Sequence, residues 1–122
     1  MKILLDTNFI LTCIKEKIDF DALANEIFDQ RIEWLLPDKV IQEIAGISQS
    51  QGAKKQQAKI ALEIIKNLDY KKVKLEHSVV DEGIARYVNQ HKVILATLDR
   101  KLKSRVGVKI LTIRGGKSLE LI

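Results

Sequence analysis

One cysteine and one proline are all that this 122-residue chain carries of either type. Its aromatics stop at one tryptophan, two tyrosines and three phenylalanines. A lone Cys13 excludes an internal disulfide and suits a reducing compartment. Cys13 lies in the apolar stretch Phe9–Ile14, where a packed core thiol is expected. With so few aromatics, a base-stacking platform of the kind single-strand binders use is not evident in the sequence. No run approaches the ~18 apolar residues of a membrane span, and Asp6 cuts the N-terminal apolar run short of a signal-peptide core. A cytoplasmic protein without membrane attachment is expected. A phosphate-cradling GxxxxGK[ST] loop, a Rossmann glycine fingerprint and a Ser/His/Asp arrangement are all absent. His77 and His91 are single residues without a ligand-like neighbour and read as surface positions.

Apolar residues at 46% and charged residues at 30% describe an ordinary globular chain, read as one domain over 1–122. Punctuation and period then alternate strand with helix. Lys2–Asp6 reads as a strand, and Phe9, Ile10, Cys13 and Ile14 share one helical face. A second helical face holds Phe20, Leu23, Ala24, Ile27 and Phe28. Glu33–Leu36 is a strand closed by Pro37, and Val40, Ile41, Ile44 and Ile47 stripe the helix after Asp38. A polar loop at 48–53 precedes a long helix over 54–69, and 72–75 alternates like an edge strand. Ser78 opens a helix, 93–98 is a buried strand, and 109–113 is a last strand ended by Gly115 and Gly116. This alternation predicts an α/β fold: a five-stranded parallel sheet with helices on both faces.

Four acids stand out in that frame. Asp6 and Asp99 each end a nearly all-apolar strand, at the edge where open α/β sheets bind ligands. Glu43 and Asp81 sit near the starts of helices at the same edge. Each acid alone has an ordinary use. Asp6 and Asp99 can cap helices, Ser78 and Asp81 match a capping box, and Glu43 can lie on an exposed face. Together, hard oxygens without nearby His or Cys select Mg²⁺ or Mn²⁺ over zinc, which predicts a metal-dependent site.

The chain's +5 charge is uneven. Residues 100–122 hold seven basic residues against Glu120 alone, a net of +6, so the first 99 residues sum to −1. A basic segment directly after Asp99 predicts a polyanionic substrate.

Asp6-Thr7-Asn8, Glu43 within Val40–Ile44, Asp81 within Asp81–Ile84, and Asp99 within Ala96–Leu102 together resemble the ordered acidic signature of PIN-domain ribonucleases. The likeness spans nearly the whole chain. The stretch after Asp99 is most similar to the rRNA-processing branch, with VapC-type toxins close behind. Leu98 stands where that branch often has Asn. The resemblance implies strand order 3-2-1-4-5, with Asp6 beside Asp99. It implies RNA phosphodiester hydrolysis, Asp6 and Asp99 as principal metal ligands, and Asp81 completing the ligand set. Glu43 would orient a water or hold a second ion, while Thr97 and Asn8 would fix carboxylate rotamers. Arg100, Lys101, Lys103, Arg105 and Arg114 would hold the RNA backbone. An antitoxin or a ribosome-assembly factor as partner, and a homodimer, are further implications. Two rivals are a catalytically silent PIN-like module binding RNA or a partner, and a small-molecule phosphohydrolase. Asn8 argues against the latter, because it cannot serve as the second acid of a DxD pair.

Overall fold

Ile3, Leu4 and Leu5 are wholly buried, so the first strand must be covered on both faces and lie centrally. The computed structural model, which describes residues 1–122, puts it there. β1 (Lys2–Leu5) pairs in parallel with β2 (Glu33–Pro37) on one side and β4 (Ile94–Ala96) on the other. β3 (Tyr70–Val73) flanks β2, β5 (Ile110–Arg114) flanks β4, and β6 (Ser118–Leu121) lies beyond β5, giving the order β3-β2-β1-β4-β5-β6. The helices are α1 (Thr7–Lys15), α2 (Phe20–Ile27), α3 (Asp38–Ser48), α4 (Lys55–Asn67), α5 (Val80–His91) and α6 (Arg100–Ser104). The parallel order 3-2-1-4-5 holds.

The sheet has six strands, not five. Gly115 and Gly116 turn a hairpin instead of ending the chain's last strand. Their φ values of +60° and +67° suit the paired positive φ of a type I′ turn, and Lys117 N donates to Arg114 O at 3.2 Å. β6 is therefore antiparallel, with Leu119 opposite Ile113 and largely buried. β3 lies two residues earlier than its alternation suggests. Its register is set by β2, from Trp34↔Tyr70 to Pro37↔Val73, and Leu75 then leaves to donate its N–H to Asp38 Oδ1.

Pro37 closes β2 and begins the turn into α3 because it has no N–H for the ladder. On the α1–α2 side, Phe20 packs edge-on against Trp34 at 5.1 Å, and Trp34 Nε1 donates to Asp21 Oδ1 at 2.7 Å. No helix is long and apolar enough to cross a membrane.

Candidate active site

β1 and β4 run side by side with Leu5 opposite Ala96, so the residues just past them emerge together. Asp6 N donates to Ala96 O at 3.1 Å, which carries the pairing one residue beyond the strand. Asp6 is almost wholly buried. Its Oδ1 accepts from Thr7 N at 2.8 Å, and its Oδ2 accepts from Thr97 Oγ1 at 2.8 Å. Thr97, fully buried, in turn accepts from Asp99 N at 3.1 Å. One hydroxyl therefore ties the first acid to the backbone of the last, across 91 positions of sequence.

Asp99 is half-buried and caps α6: its Oδ1 accepts from Lys101 N at 2.8 Å and Leu102 N at 3.2 Å. Its other oxygen takes no protein hydrogen bond and remains available. Glu43, on the second turn of α3, and Asp81, in the first turn of α5, are both exposed. The charges of both reach Asp6.

Burial pushes the Asp6 carboxyl up to about 6; Thr97 and Thr7 pull against that, and the charges of Asp81 and Glu43 add to it. Asp81 is raised too, first by lost solvation, then by Asp99 and Glu43, with Arg105 opposing and Glu82 adding. The four acids thus share one field, although no three of them converge at metal-ligand distance. The strands that end in Asp6 and Asp99 are neighbours, as expected, and no preformed coordination shell stands between their acids.

The donor set still fits a hydrated hard cation. Every group is an oxygen, and the acids crowd without a neutralising base beside Asp6. The buried Thr7 Oγ1 next to Asp6 also has no hydrogen-bond partner. An ion with its waters would relieve the repulsion. Thr7 was the residue that sequence reasoning passed over, because as a cap-adjacent threonine it looks ordinary.

Two other expectations, for Asn8 and for a capping box, are corrected. Asn8 is exposed and makes no hydrogen bond, since it lies on the outer side of the first turn of α1; Thr7 N holds the Asp6 carboxylate instead. Ser78 and Asp81 form no capping box, because α5 starts after Val79 without a side-chain cap. Arg105 is ion-paired with Glu82, and Arg114 lies 3.8 Å from Glu120. Lys103 Nζ reaches Thr112 Oγ1 at 3.5 Å. Arg100 and Lys101 are exposed, with side chains free of ion pairs.

Thr97→Val keeps the shape and removes the link. Asp99 N loses its acceptor and Asp6 a donor, so urea unfolding should show a loss of about 1–3 kcal/mol. Asp6, deprived of the bond that most lowers its pKa, should titrate above 6 by NMR. An unchanged Asp6 titration would mean that the hydroxyl does not tune the acid.

A mostly parallel α/β sheet carries buried and half-buried aspartates at the ends of two adjacent central strands. Residues 3–116 match the family model described as a PIN like domain, and the chain belongs to the PIN-domain family. It is 28% identical over 125 residues to Ribonuclease VapC4 of Methanocaldococcus jannaschii, covering 98% of this chain and 95% of that protein. It is 31% identical over 123 residues to the rRNA-processing protein fcf1 of Schizosaccharomyces pombe, covering 94% of this chain. The chain spans only 60% of that relative's own length. The structure of the PIN domain endonuclease Utp24 superposes with a TM-score of 0.83 at 26% identity, covering 98% of this chain and 90% of that one.

Proposed function

We propose that this chain is a Mg²⁺- or Mn²⁺-dependent endoribonuclease whose catalytic centre is the edge bearing Asp6, Glu43, Asp81 and Asp99. The observation that carries this reading is the Asp6–Thr97–Asp99 linkage, which gathers two acids at the ends of neighbouring strands. Asp6, Asp81 and Asp99 would hold the ion. A cation held there lowers the pKa of a bound water and neutralises charge on the phosphoryl oxygens. Thr97 and Thr7 N fix the rotamer of Asp6, while capping fixes Asp99 with one oxygen turned free. Glu43 orients a water. Water adds to phosphorus as the bond to the 3′ oxygen breaks, and that oxygen leaves with a proton. The products carry a 5′-phosphate and a 3′-hydroxyl.

Arg100, Lys101 and Lys103 offer the least engaged cations for the RNA backbone; Arg105 and Arg114 would first have to leave Glu82 and Glu120. Replacing the first three with alanine should weaken RNA binding and lower its log–log salt slope by roughly 0.7 per lost contact. Fluorescence anisotropy across a salt series reads this. A slope equal to that of the parent would mark them as a solvated face.

The fcf1 likeness favours a setting in rRNA processing, where a ribosome-assembly factor would be the partner, and the VapC4 likeness a toxin-type ribonuclease, where an antitoxin would be. Self-association fits either. A single domain in a reducing cytoplasm fits the one buried thiol, which burial pushes up to about 12 and so keeps unreactive. One observation favours a silent binding module instead: no three acids stand at ligand distance. Incubating labelled RNA, and small phosphate esters beside it, with Mn²⁺ or with chelator decides. RNA cleavage only with Mn²⁺ supports the nuclease. RNA bound but uncut supports the silent module, and ester hydrolysis alone supports a phosphohydrolase.

A further inference from the structure

The chain's only two histidines, read from sequence as unrelated surface residues, line one cleft of about 390 Å³. The cleft lies between the 74–77 loop and one flank of α5, and also presents Lys74, Arg86, Tyr87 and the single acid Glu76. The other flank of α5 is taken by α6 and the turn after it, through Glu82–Arg105 and the two hydrogen bonds of Asn89 to Arg105 O and Gly107 N. This cleft is therefore separate from the contacts that hold the fold's last third.

It is a built feature. Gly83 lets the loop lie against α5: a Cβ there would stand 3.1 Å from Leu75 Cβ and 3.5 Å from His77 Cβ. Lys39 Nζ donates to His77 O, which fixes the loop to the start of α3. Val79 N donates to His77 Nδ1 at 3.0 Å, so the neutral ring carries its proton on Nε2 as a donor. Tyr87 and His91, one turn apart on α5, lie in contact with ring centres 4.2 Å apart and planes inclined by 34°. Lys74 and Arg86 are exposed and unpaired.

Two adjoining aromatic rings flanked by two free cations are the chemistry that takes a base face and its phosphate together. We infer that this cleft binds a nucleotide of single-stranded RNA, its base against the Tyr87–His91 pair and its phosphate between Lys74 and Arg86. Arg86 and Tyr87 follow Asp81 by five and six residues, about 8–9 Å along the helix at 1.5 Å per residue, and at 3.6 residues per turn they face away from it, so the cleft is a subsite on another face of α5 from the acidic edge. The inference rests on RNA being the substrate.

With only two histidines, imidazole proton NMR reports on this cleft alone. A uridylate pentanucleotide titrated in chelator, where no cleavage is expected, should shift both ring signals. Its Kd should rise roughly tenfold in Tyr87→Ala and recover in Tyr87→Phe, which keeps the stacking face. Inorganic polyphosphate should not distinguish Tyr87→Ala from the parent. Should Tyr87→Ala fail to fold, Arg86→Ala and His91→Ala, both at exposed positions, should likewise raise the Kd for the pentanucleotide, with polyphosphate weakened in Arg86→Ala and unchanged in His91→Ala. RNA that binds the parent without moving either imidazole, and binds every variant equally, overturns the cleft and leaves the RNA reading intact. A parent that neither binds nor cuts RNA overturns both.

Discussion

Asp6→Asn should abolish RNA cleavage while making the metal-free protein more stable at pH 7 than its parent. The asparagine carbonyl can accept from Thr7 N, and its amide can donate to Thr97 Oγ1 in a reversed bond, so the cost of the change is confined to the Thr97 hydroxyl hydrogen, which loses its acceptor. What changes is the charge. The parent carboxyl is raised from 3.8 to about 6 in the fold, chiefly by burial. Between those values the folded state binds more protons than the unfolded state, so stability falls as pH rises through the interval. Below about 4 the group is protonated in both states and costs nothing. Above about 6 the full penalty applies, on the order of 3 kcal/mol for a carboxyl displaced that far. Urea unfolding in chelator at pH 4, 5 and 7 should therefore show parent and variant alike at the lowest pH and diverging upward. Cleavage should fall more than about 100-fold, beyond what loss of a group merely supporting a ligand costs. A variant that is less stable than the parent at pH 7 would mean Asp6 serves as a helix cap and little else.

Asp99 differs, because it is an acid and a cap at once. Its Oδ1 holds two N–H groups of α6, a duty asparagine performs about as well and alanine does not. Asp99→Asn should thus remove activity at little cost in stability, whereas Asp99→Ala should also lose about 1 kcal/mol.

That double duty shows where the sequence could be read and where it could not. A central strand buried on both faces has an unmistakable composition, so β1 and β4 were visible in the runs before Asp6 and Asp99. Their adjacency was not in the local pattern, since a pairing over 91 positions leaves no period; it entered through the ordered family likeness. β6 was missed because Gly115–Gly116 signals an end and a hairpin equally well, and only the antiparallel partner decides. Ser78–Asp81 had the letters of a capping box, but Val79 took the cap position as the loop was drawn to Asp38 and Lys39. The count of cations after Asp99 was right. Which of them are free depended on Glu82 and Glu120, acids that a linear charge tally cannot pair with Arg105 and Arg114. His77 and His91 came together for the same reason: the loop after β3 folds back along α5.

Mn²⁺ should raise the melting temperature of the parent by roughly 10 °C at one hundred times its Kd. A ligand bound only by the folded state adds RT ln(1 + [L]/Kd), about 2.7 kcal/mol at that ratio, and for a chain of this length each kcal/mol moves the midpoint by about 3–5 °C. Mg²⁺ should act similarly, and Na⁺ at matched ionic strength much less, because the donors are all hard oxygens. Binding must also displace the proton that Asp6 holds below about pH 6. The apparent Kd should therefore worsen about tenfold for each pH unit below 6, and the thermal shift should fade accordingly. In the Asp6→Asn, Asp99→Asn double variant the shift should vanish at every pH, together with metal-dependent cleavage. Differential scanning fluorimetry across a Mn²⁺ and pH grid measures all of this in one experiment. Equal Mn²⁺ shifts in parent and double variant would locate the ion elsewhere, and the edge acids would then serve only to cap helices and repel one another.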